Sequence, residues 1–562
     1  MLGIVKRRLG DMLVESGKIT PSELHNALGI QRKTGKKLGE VLIEQGLVTH
    51  EIIVEVLEEQ TGIKRIDLSA VEVDKKVIKI IPENMCHKYI LFPFAFHDNK
   101  ISVAMWDPLN IFAVDDVSIA SGFEVESYIG TKDQIKLFIE RYYSNEQVLK
   151  AAEELSKEKL VEAKDLDEGD IELDNIKNAP VVKMVDYLIK DALESRASDI
   201  HIEPYEEFIR IRYRIDGRLQ EVSTLSIDTL PALITRIKIL ANLNIAEKRI
   251  PQDGRIITKV AGKDLDLRIS ILPIAAGEKV VIRVLNRDNY NISKAQLGLE
   301  EEDLKKLDRI IGSPHGIVLV TGPTGSGKST TLYTILNEIN QVDKNIITIE
   351  DPVEYMIQGI NQVNVNVKAG LTFAAGLRSI LRQDPDVVMI GEIRDGETAQ
   401  IAVRAAITGH LVFSTLHTND APSSILRLVD MGVEPFLVST SISGVIAQRL
   451  VRRICPKCQE PYEASMREKA ILNVPQNSPL ILHRGKGCAN CNHSGYYGRR
   501  GVYEIMEITQ QHKELILDNS GNSALKEFSV ENGMKTIAMA CRELVLKGET
   551  TIEELLTVTF AV

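Results

Sequence analysis

The sequence predicts a multidomain protein of the α/β class, and three observations carry the prediction. Its 562 residues exceed the ~100 to 200 residues of a single domain several times over. Residues 316–336 read as an apolar strand, a glycine loop and a helix placed back to back. From about residue 291 onward, short apolar runs continue to alternate with helical ones, the pattern of strands and helices in a layered sheet.

Composition narrows the class. The formal net charge of −11, from 68 basic and 79 acidic residues, provides no global positive field for a nucleic-acid polymer. No apolar run approaches the ~18 residues that would cross a bilayer. The basic segment at residues 1–13 lacks the apolar core of an export signal. Four of the six cysteines form two Cys-x-x-Cys pairs, which fits metal ligation in a reducing compartment better than a disulfide framework. The expectation is a cytoplasmic protein.

Residues 1–60 contain an internal repeat. Arg8, Leu9, Gly10, Leu13, Gly17, Leu24, Leu28 and Gln31 recur 29 positions later as Lys37, Leu38, Gly39, Leu42, Gly46, Ile53, Leu57 and Gln60. Each 24-residue unit reads as a helical hairpin. In the first, Gly17 ends one helix, a Thr20/Glu23 capping box with Pro21 in the first turn starts the next, and Leu24, Ala27, Leu28 and Gln31 share a face. Residues 61–144, with strands expected at 89–93 and 101–105, form a small α/β subdomain. Residues 145–178 read as a linker: between 151 and 178 stand ten acidic and four basic residues, few large apolar side chains and no aromatic. A middle domain over 179–290 holds strands at 198–203 and 208–217, the second ending in an Asp216-Gly217 turn. Residues 291–562 form the domain around the glycine loop.

That loop carries the chemistry. Gly322, Pro323, Thr324, Gly325, Ser326, Gly327, Lys328 and Ser329, followed by Thr330, fit G-x-x-x-x-G-K-[ST] in the strand-then-helix setting the motif requires. Glycines let backbone amides curl toward a β-phosphate, the helix N-terminus adds partial positive charge, Lys328 neutralises phosphate oxygens and Ser329 ligates Mg²⁺. The expected ligand is a nucleoside triphosphate. Residues 345–354 form an apolar strand running into Glu350, Asp351 and Glu354, and residues 386–392 form another ending in Gly391-Glu392. Carboxylates at such strand ends meet the phosphates in a doubly wound sheet. Cys455, Cys458, Cys488 and Cys491 stand as two knuckles with 29 residues between them, a longer gap than usual that an intervening helix would absorb. Four thiolates leave no open position, so Zn²⁺ there would be structural; two redox pairs or free thiols are the alternative. Cys86 and Cys541 are expected to be packing residues.

The phosphate loop, Thr348-Ile-Glu-Asp-Pro-Val-Glu354, the atypical Walker B at 386–392 and the box Thr408-Gly-His-Leu-Val-Phe-Ser-Thr-Leu-His417 resemble the secretion ATPases of type II secretion and type IV pili. Ser198-Asp-Ile-His-Ile-Glu203 and segments 247–255 and 277–283 extend the resemblance over nearly the whole chain. It implies a PAS-like middle domain joined to a RecA-like motor, assembled as a hexameric ring. It implies ATP and Mg²⁺ as ligands, an inner-membrane platform protein as partner, indirect contact with pilin, and a place peripheral to the membrane. It also implies Glu354 as general base for the attacking water and Glu392 as the acid that positions Mg²⁺ or its water. Arg268 and Arg283 of the middle domain, and Arg378 and Arg382 on a motor helix, would reach the γ-phosphate. Phosphoryl transfer needs such groups, being catalysed mainly by positioning and by neutralising charge on the equatorial oxygens. His417 would either sense the γ-phosphate or pack at a strand end. The tetracysteine insertion is a mark of assembly and secretion members and argues against a retraction motor.

Pilus assembly is the first reading, with type II secretion, driving a pseudopilus, as its near alternative. A DNA translocase would need a basic stripe with interleaved aromatics, which the sequence lacks. A nucleotide-gated module without turnover would not need the full set of acids and arginines. The amino-terminal repeat resembles the MshEN domain, which binds cyclic di-GMP, a ligand whose two-fold symmetry suits tandem units. That resemblance implies Arg8 or Lys37 at a guanine or phosphate, close backbone approach at Gly10 and Gly39, leucines flanking the bases, and Gln31 and Gln60 at the edge. Lys37 lacks the planar fork of arginine. The alternative is a helical docking domain whose Leu and Gly positions only pack.

Overall fold

The computed structural model describes residues 8–71, 73–78, 80–97, 99–139, 142–143, 180–286 and 292–560. The linker expected at 145–178 lies outside the described residues. Among them, no helix is long and apolar enough to cross a membrane.

The repeat forms two helical hairpins, α1 (Leu9–Glu15) with α2 (Pro21–Thr34) and α3 (Leu38–Glu44) with α4 (His50–Thr61). The capping box closes as its residues require: the Glu23 amide donates to Thr20 Oγ1 at 3.3 Å, and the Thr20 amide donates to the Glu23 carboxylate at 2.7 Å. Beyond the repeat, β1 (Leu91–His97), β2 (Lys100–Met105) and β3 (Glu124–Ile129) form a sheet in that order, β1 antiparallel and β3 parallel to β2. The strand expected from Tyr89 begins at Leu91, because Tyr89 ends the helix Glu83–Tyr89 and Ile90 takes a left-handed φ of 51°. Leu13, Leu42 and Ile53 of the hairpins share one buried cluster with Phe92, Val103 and Ile135 of the α/β part.

The middle domain is a six-stranded sheet with the helices Pro180–Glu194 and Leu230–Leu240. Its strands are β4 (Ala197–Pro204), β5 (Phe208–Ile215), β6 (Arg218–Ser226), β7 (Gln252–Val260), β8 (Lys263–Ile274) and β9 (Gly277–Asn286), in the order β6-β5-β4-β9-β8-β7. β5 alternates strictly: Ile209, Ile211, Tyr213 and Ile215 are buried while the arginines between them are not. Asp216 and Gly217 join β5 to β6 with φ of 48° and 87°, the left-handed pair a tight hairpin demands.

The motor domain is built on β10 (Gly316–Thr321), β11 (Ile346–Glu350), β12 (Asn361–Asn364), β13 (Val387–Ile390), β14 (Leu411–Leu416) and β15 (Ile442–Ile454). A two-stranded sheet of β16 (Gln459–Glu463) and β17 (Ile481–Gly485) follows, then β18 (Tyr496–Glu507) returns to the main sheet. The order is β12-β11-β13-β14-β10-β15-β18, parallel throughout except for β18, which pairs antiparallel with β15 from Gly444 opposite Glu507 to Ile454 opposite Tyr496. Both faces of this sheet are covered, as parallel strands require. Ile317 and Leu319 join one buried cluster, Val318 and Val320 the other.

Candidate nucleotide and metal sites

The phosphate loop leaves the C-terminal end of β10, near the middle of the sheet, and runs into the helix Lys328–Ile339. Gly322 has φ 145°, and a Cβ there would lie 2.4 Å from the Gln448 carbonyl oxygen, so the position admits no side chain. Gln448 Nε2 donates to the Ser326 carbonyl at 2.7 Å from beneath the loop. Lys328 is 9% exposed; its Nζ donates to the carbonyls of Gly322 at 2.8 Å and Pro323 at 3.1 Å, and burial pushes its ammonium down to about 8. Ser329 and Thr330 open the helix as exposed residues.

Two strands away, β13 runs out into Gly391 and Glu392. The turn is pinned by three hydrogen bonds: Gly391 N to Ile349 O at 2.7 Å, Thr415 Oγ1 to Gly391 O at 2.7 Å, and Ser414 Oγ to Ile390 O at 2.9 Å. Burial raises the Glu392 carboxyl, but Arg394, which donates to it, and His417, whose Nε2 lies 3.4 Å away, hold it below the usual carboxylate range. His417 follows β14 and is half exposed beside this acid. Lys328 feels the same carboxylate, so the loop's cation and this acid share one field.

At the third strand end the three acids stand in three different settings. Glu350 is buried and accepts from Thr348 Oγ1, Tyr333 Oη and Gln362 Nε2, and burial raises its carboxyl. Asp351 is exposed, and Glu354 lies partly buried on the following loop. Arg378 lies on the helix Phe373–Ile380 and pairs with Glu397; Arg382, expected on the same helix, falls beyond its end, where Leu381 caps it and Arg382 Nη1 donates to the Arg378 carbonyl at 2.8 Å. In the middle domain Arg268 sits on β8, while Arg283 on β9 donates to Asp199 at 3.2 Å with its side chain 57% exposed.

Arg394, Gln448 and Tyr333 were not singled out by sequence. Signals existed: Arg394 stands two residues after Glu392, and Gln448 is a polar residue inside the apolar run of β15.

The four cysteines converge. Sulfurs of Cys455, Cys458, Cys488 and Cys491 all lie within 4.8 Å of one another, three of the residues being buried. Cys488 and Cys491 sulfurs are 3.8 Å apart, the separation of ~3.8 Å that tetrahedral Zn–S bonds of ~2.3 Å impose. The Cys488 amide donates to Cys491 Sγ at 3.2 Å, a contact that favours thiolate. The donor set fits a structural zinc ion, and the helix Met466–Ile471 with the β16–β17 sheet fills the long spacing. Cys86 and Cys541 are buried, and burial pushes both thiols up to about 12, as inert packing residues should be.

In the repeat, Gly10 faces Leu24, where a Cβ would come within 2.6 Å of Leu24 Cδ1, and Gly39 faces Ile53 at 3.4 Å. Leu13, Leu42 and Ile53 are core residues; Leu9, Leu24, Leu28, Gln31, Leu38, Leu57 and Gln60 are partly exposed; Arg8, Gly17, Lys37 and Gly46 are exposed. Lys37 pairs with Asp107.

A glycine loop at the end of β10, with Lys328 and an acid two strands away in one field, is the arrangement of a P-loop ATP hydrolase. The chain belongs to the type II/IV secretion system protein family, whose model matches residues 174–557; the MshEN domain model matches residues 61–149, carboxy-terminal to the repeat. It is 42% identical over 560 residues, 97% of this chain and 98% of the relative, to the type IV pilus assembly ATPase PilB of Myxococcus xanthus. It is 40% identical over 566 residues, 98% of each chain, to type II secretion system protein E of Xanthomonas campestris. The solved structure of the Legionella pneumophila ATPase DotB, 21% identical, superposes with a TM-score of 0.51 over 67% of this chain and 95% of that one, a likeness of fold alone.

Proposed function

We propose that the protein is a cytoplasmic, hexameric motor that hydrolyses ATP to drive type IV pilus assembly through an inner-membrane platform protein. The observation that carries this reading is the likeness to a pilus assembly ATPase along 97% of the chain, amino-terminal region included. The almost equal likeness to a type II secretion protein over 98% of the chain supports pseudopilus assembly as the second reading. Deleting the gene and scoring surface pili and secreted exoproteins separately decides between them: loss of pili with normal export supports the first, the reverse the second.

In this reading Lys328 and the loop amides hold the β- and γ-phosphates, and Ser329 and Glu392 hold the magnesium ion and its water. Glu354 takes the proton of the attacking water. Arg268, Arg283, Arg378 and Arg382 neutralise charge on the transferred group, Arg283 by exchanging Asp199 for phosphate. Lys328→Ala is expected to lose nucleotide binding. Glu354→Gln is expected to bind ATP yet turn over at least ~100-fold more slowly, the scale of a lost general base. Steady-state hydrolysis with equilibrium nucleotide binding checks both, and near-normal turnover by Glu354→Gln removes it from that role.

The amino-terminal domain is read as a cyclic di-GMP sensor, on the tandem repeat and the MshEN match beside it. Calorimetric titration of the full chain with cyclic di-GMP tests this. Arg8→Ala should weaken binding more than Lys37→Ala, since arginine offers the planar donors and Lys37 is already paired with Asp107. No heat at tens of micromolar ligand would leave the repeat a docking scaffold.

A further inference from the structure

The loop between β11 and β12, residues 351–360, carries Glu354 and is held at four points by side chains from two neighbouring elements. From β12, Asn364 Oδ1 accepts from the Val353 amide at 2.8 Å, and Gln362 accepts from the Ile357 amide at 2.6 Å while its Nε2 donates to the Tyr355 carbonyl at 3.0 Å. From the helix after the phosphate loop, Tyr333 Oη accepts from the Glu354 amide at 3.2 Å. The rings of Tyr333 and Tyr355 meet edge to face with centroids 4.5 Å apart. Tyr333 Oη is itself oriented, because it donates to Glu350, which also accepts from Thr348 Oγ1 at 2.6 Å and Gln362 Nε2 at 3.2 Å. Glu350 is 4% exposed and all three donors are neutral, so its carboxyl sits inside the protein as an anchor and not at the substrate.

We propose that Tyr333, oriented by Glu350, is a positioning residue for hydrolysis: it ties the loop that presents Glu354 to the helix whose first turn grips the phosphates. The inference rests on Glu354 as the base. Sheet geometry makes such a tie necessary. β11 is three strands from β10, a lateral distance of about 14 Å, so the loop must return toward the phosphates, and only contacts along its path fix where its carboxylate stops. An error of ~1 Å in that placement can cost ~100-fold in rate. A hydroxyl is required because the same atom accepts from the Glu354 amide and donates to Glu350; phenylalanine keeps the ring contact and loses both bonds.

The test uses the full chain, with steady-state ATP hydrolysis and equilibrium binding of a fluorescent ATP analogue, for Tyr333→Phe, Asn364→Ala, Glu354→Gln and the Tyr333→Phe/Glu354→Gln double variant. Tyr333→Phe should lose about tenfold or more in kcat while its nucleotide Kd stays within about threefold of the parent. Asn364→Ala, at an exposed side chain, should show the same split at smaller size. In the Glu354→Gln background Tyr333→Phe should add less than about twofold, because it acts through that carboxylate. A Tyr333→Phe kcat within twofold of the parent, or an equal multiplicative loss in both backgrounds, overturns the proposal. If Tyr333→Phe does not fold, a normal kcat in Asn364→Ala overturns it alone. Glu354→Gln turning over normally would instead withdraw the base assignment beneath it, a result separable from the others.

Discussion

Gln448 is a buried amide on the strand beside the phosphate loop, and its side chain is what the loop rests on. Replacing it with leucine keeps the volume and leaves the Ser326 carbonyl without that donor, at a cost of about 1–3 kcal/mol. Gln448→Leu should therefore lower the motor domain's melting temperature and weaken ATP binding together, which calorimetry and titration of one preparation would show. The strand, glycine loop and helix around Lys328 and the convergence of the four cysteines were legible in the sequence, because the loop and each Cys-x-x-Cys pair are short local patterns whose chemistry needs those residue types at that spacing. Gln448, Tyr333 and Arg394 were not, since Gln448 and Tyr333 act on partners that only the sheet order brings beside them, and nothing local marks a glutamine or a tyrosine as a support. Glu350 shows the converse: its place among three acids suggested chemistry, and burial among neutral donors makes it an anchor.

Strands β4, β5 and β9 carry a ladder of charge on one face: Glu203 accepts from Arg212 at 2.8 and 2.9 Å and from Lys279 at 2.9 Å, and Asp199 from Arg283. Burial raises the Glu203 carboxyl, but Arg212 and Lys279 outweigh it and bring it down to about 2, against an ordinary 4.5. A depressed carboxylate contributes stability that is complete above pH 4.5 and is lost as pH falls through 2. Acid unfolding of the middle domain should steepen in that window, and Glu203→Gln should flatten it, as followed by circular dichroism against pH. Strand alternation in β5 announced that these arginines face outward; their acidic partners on β4 and β9 depend on register, which periodicity alone does not fix. Arg382 slipped off its expected helix for a related reason, since the Leu381 cap ends the helix one residue before it. For the cysteine module, changing Cys455 and Cys488 together should remove about one zinc per chain by metal analysis and loosen the β15–β18 ends, with nucleotide binding partly kept.

The amino-terminal region and the motor domain have separate hydrophobic cores, one around Phe92 and Leu42, the others around the β10 sheet. Unfolding of the chain is then not a single two-state event. Phe92→Ala, a fully buried truncation costing about 3–5 kcal/mol, should move one calorimetric transition downward and leave the others, with basal ATP hydrolysis within about twofold of the parent. The fold class was readable from the alternating pattern, whereas the cluster joining the helical repeat to its α/β neighbour is written only in tertiary packing. The long ribbon of β15 and β18 closes with Ile454 opposite Tyr496, so the two ends of the cysteine module are already neighbours. Evolution can treat such a module as a cassette. A lineage could discard residues 455–495, bridge the ribbon with a two-residue turn, and keep every strand of the ATPase sheet in its place, which makes this tip a spot where gain or loss of a cysteine-built appendage is inherited cheaply.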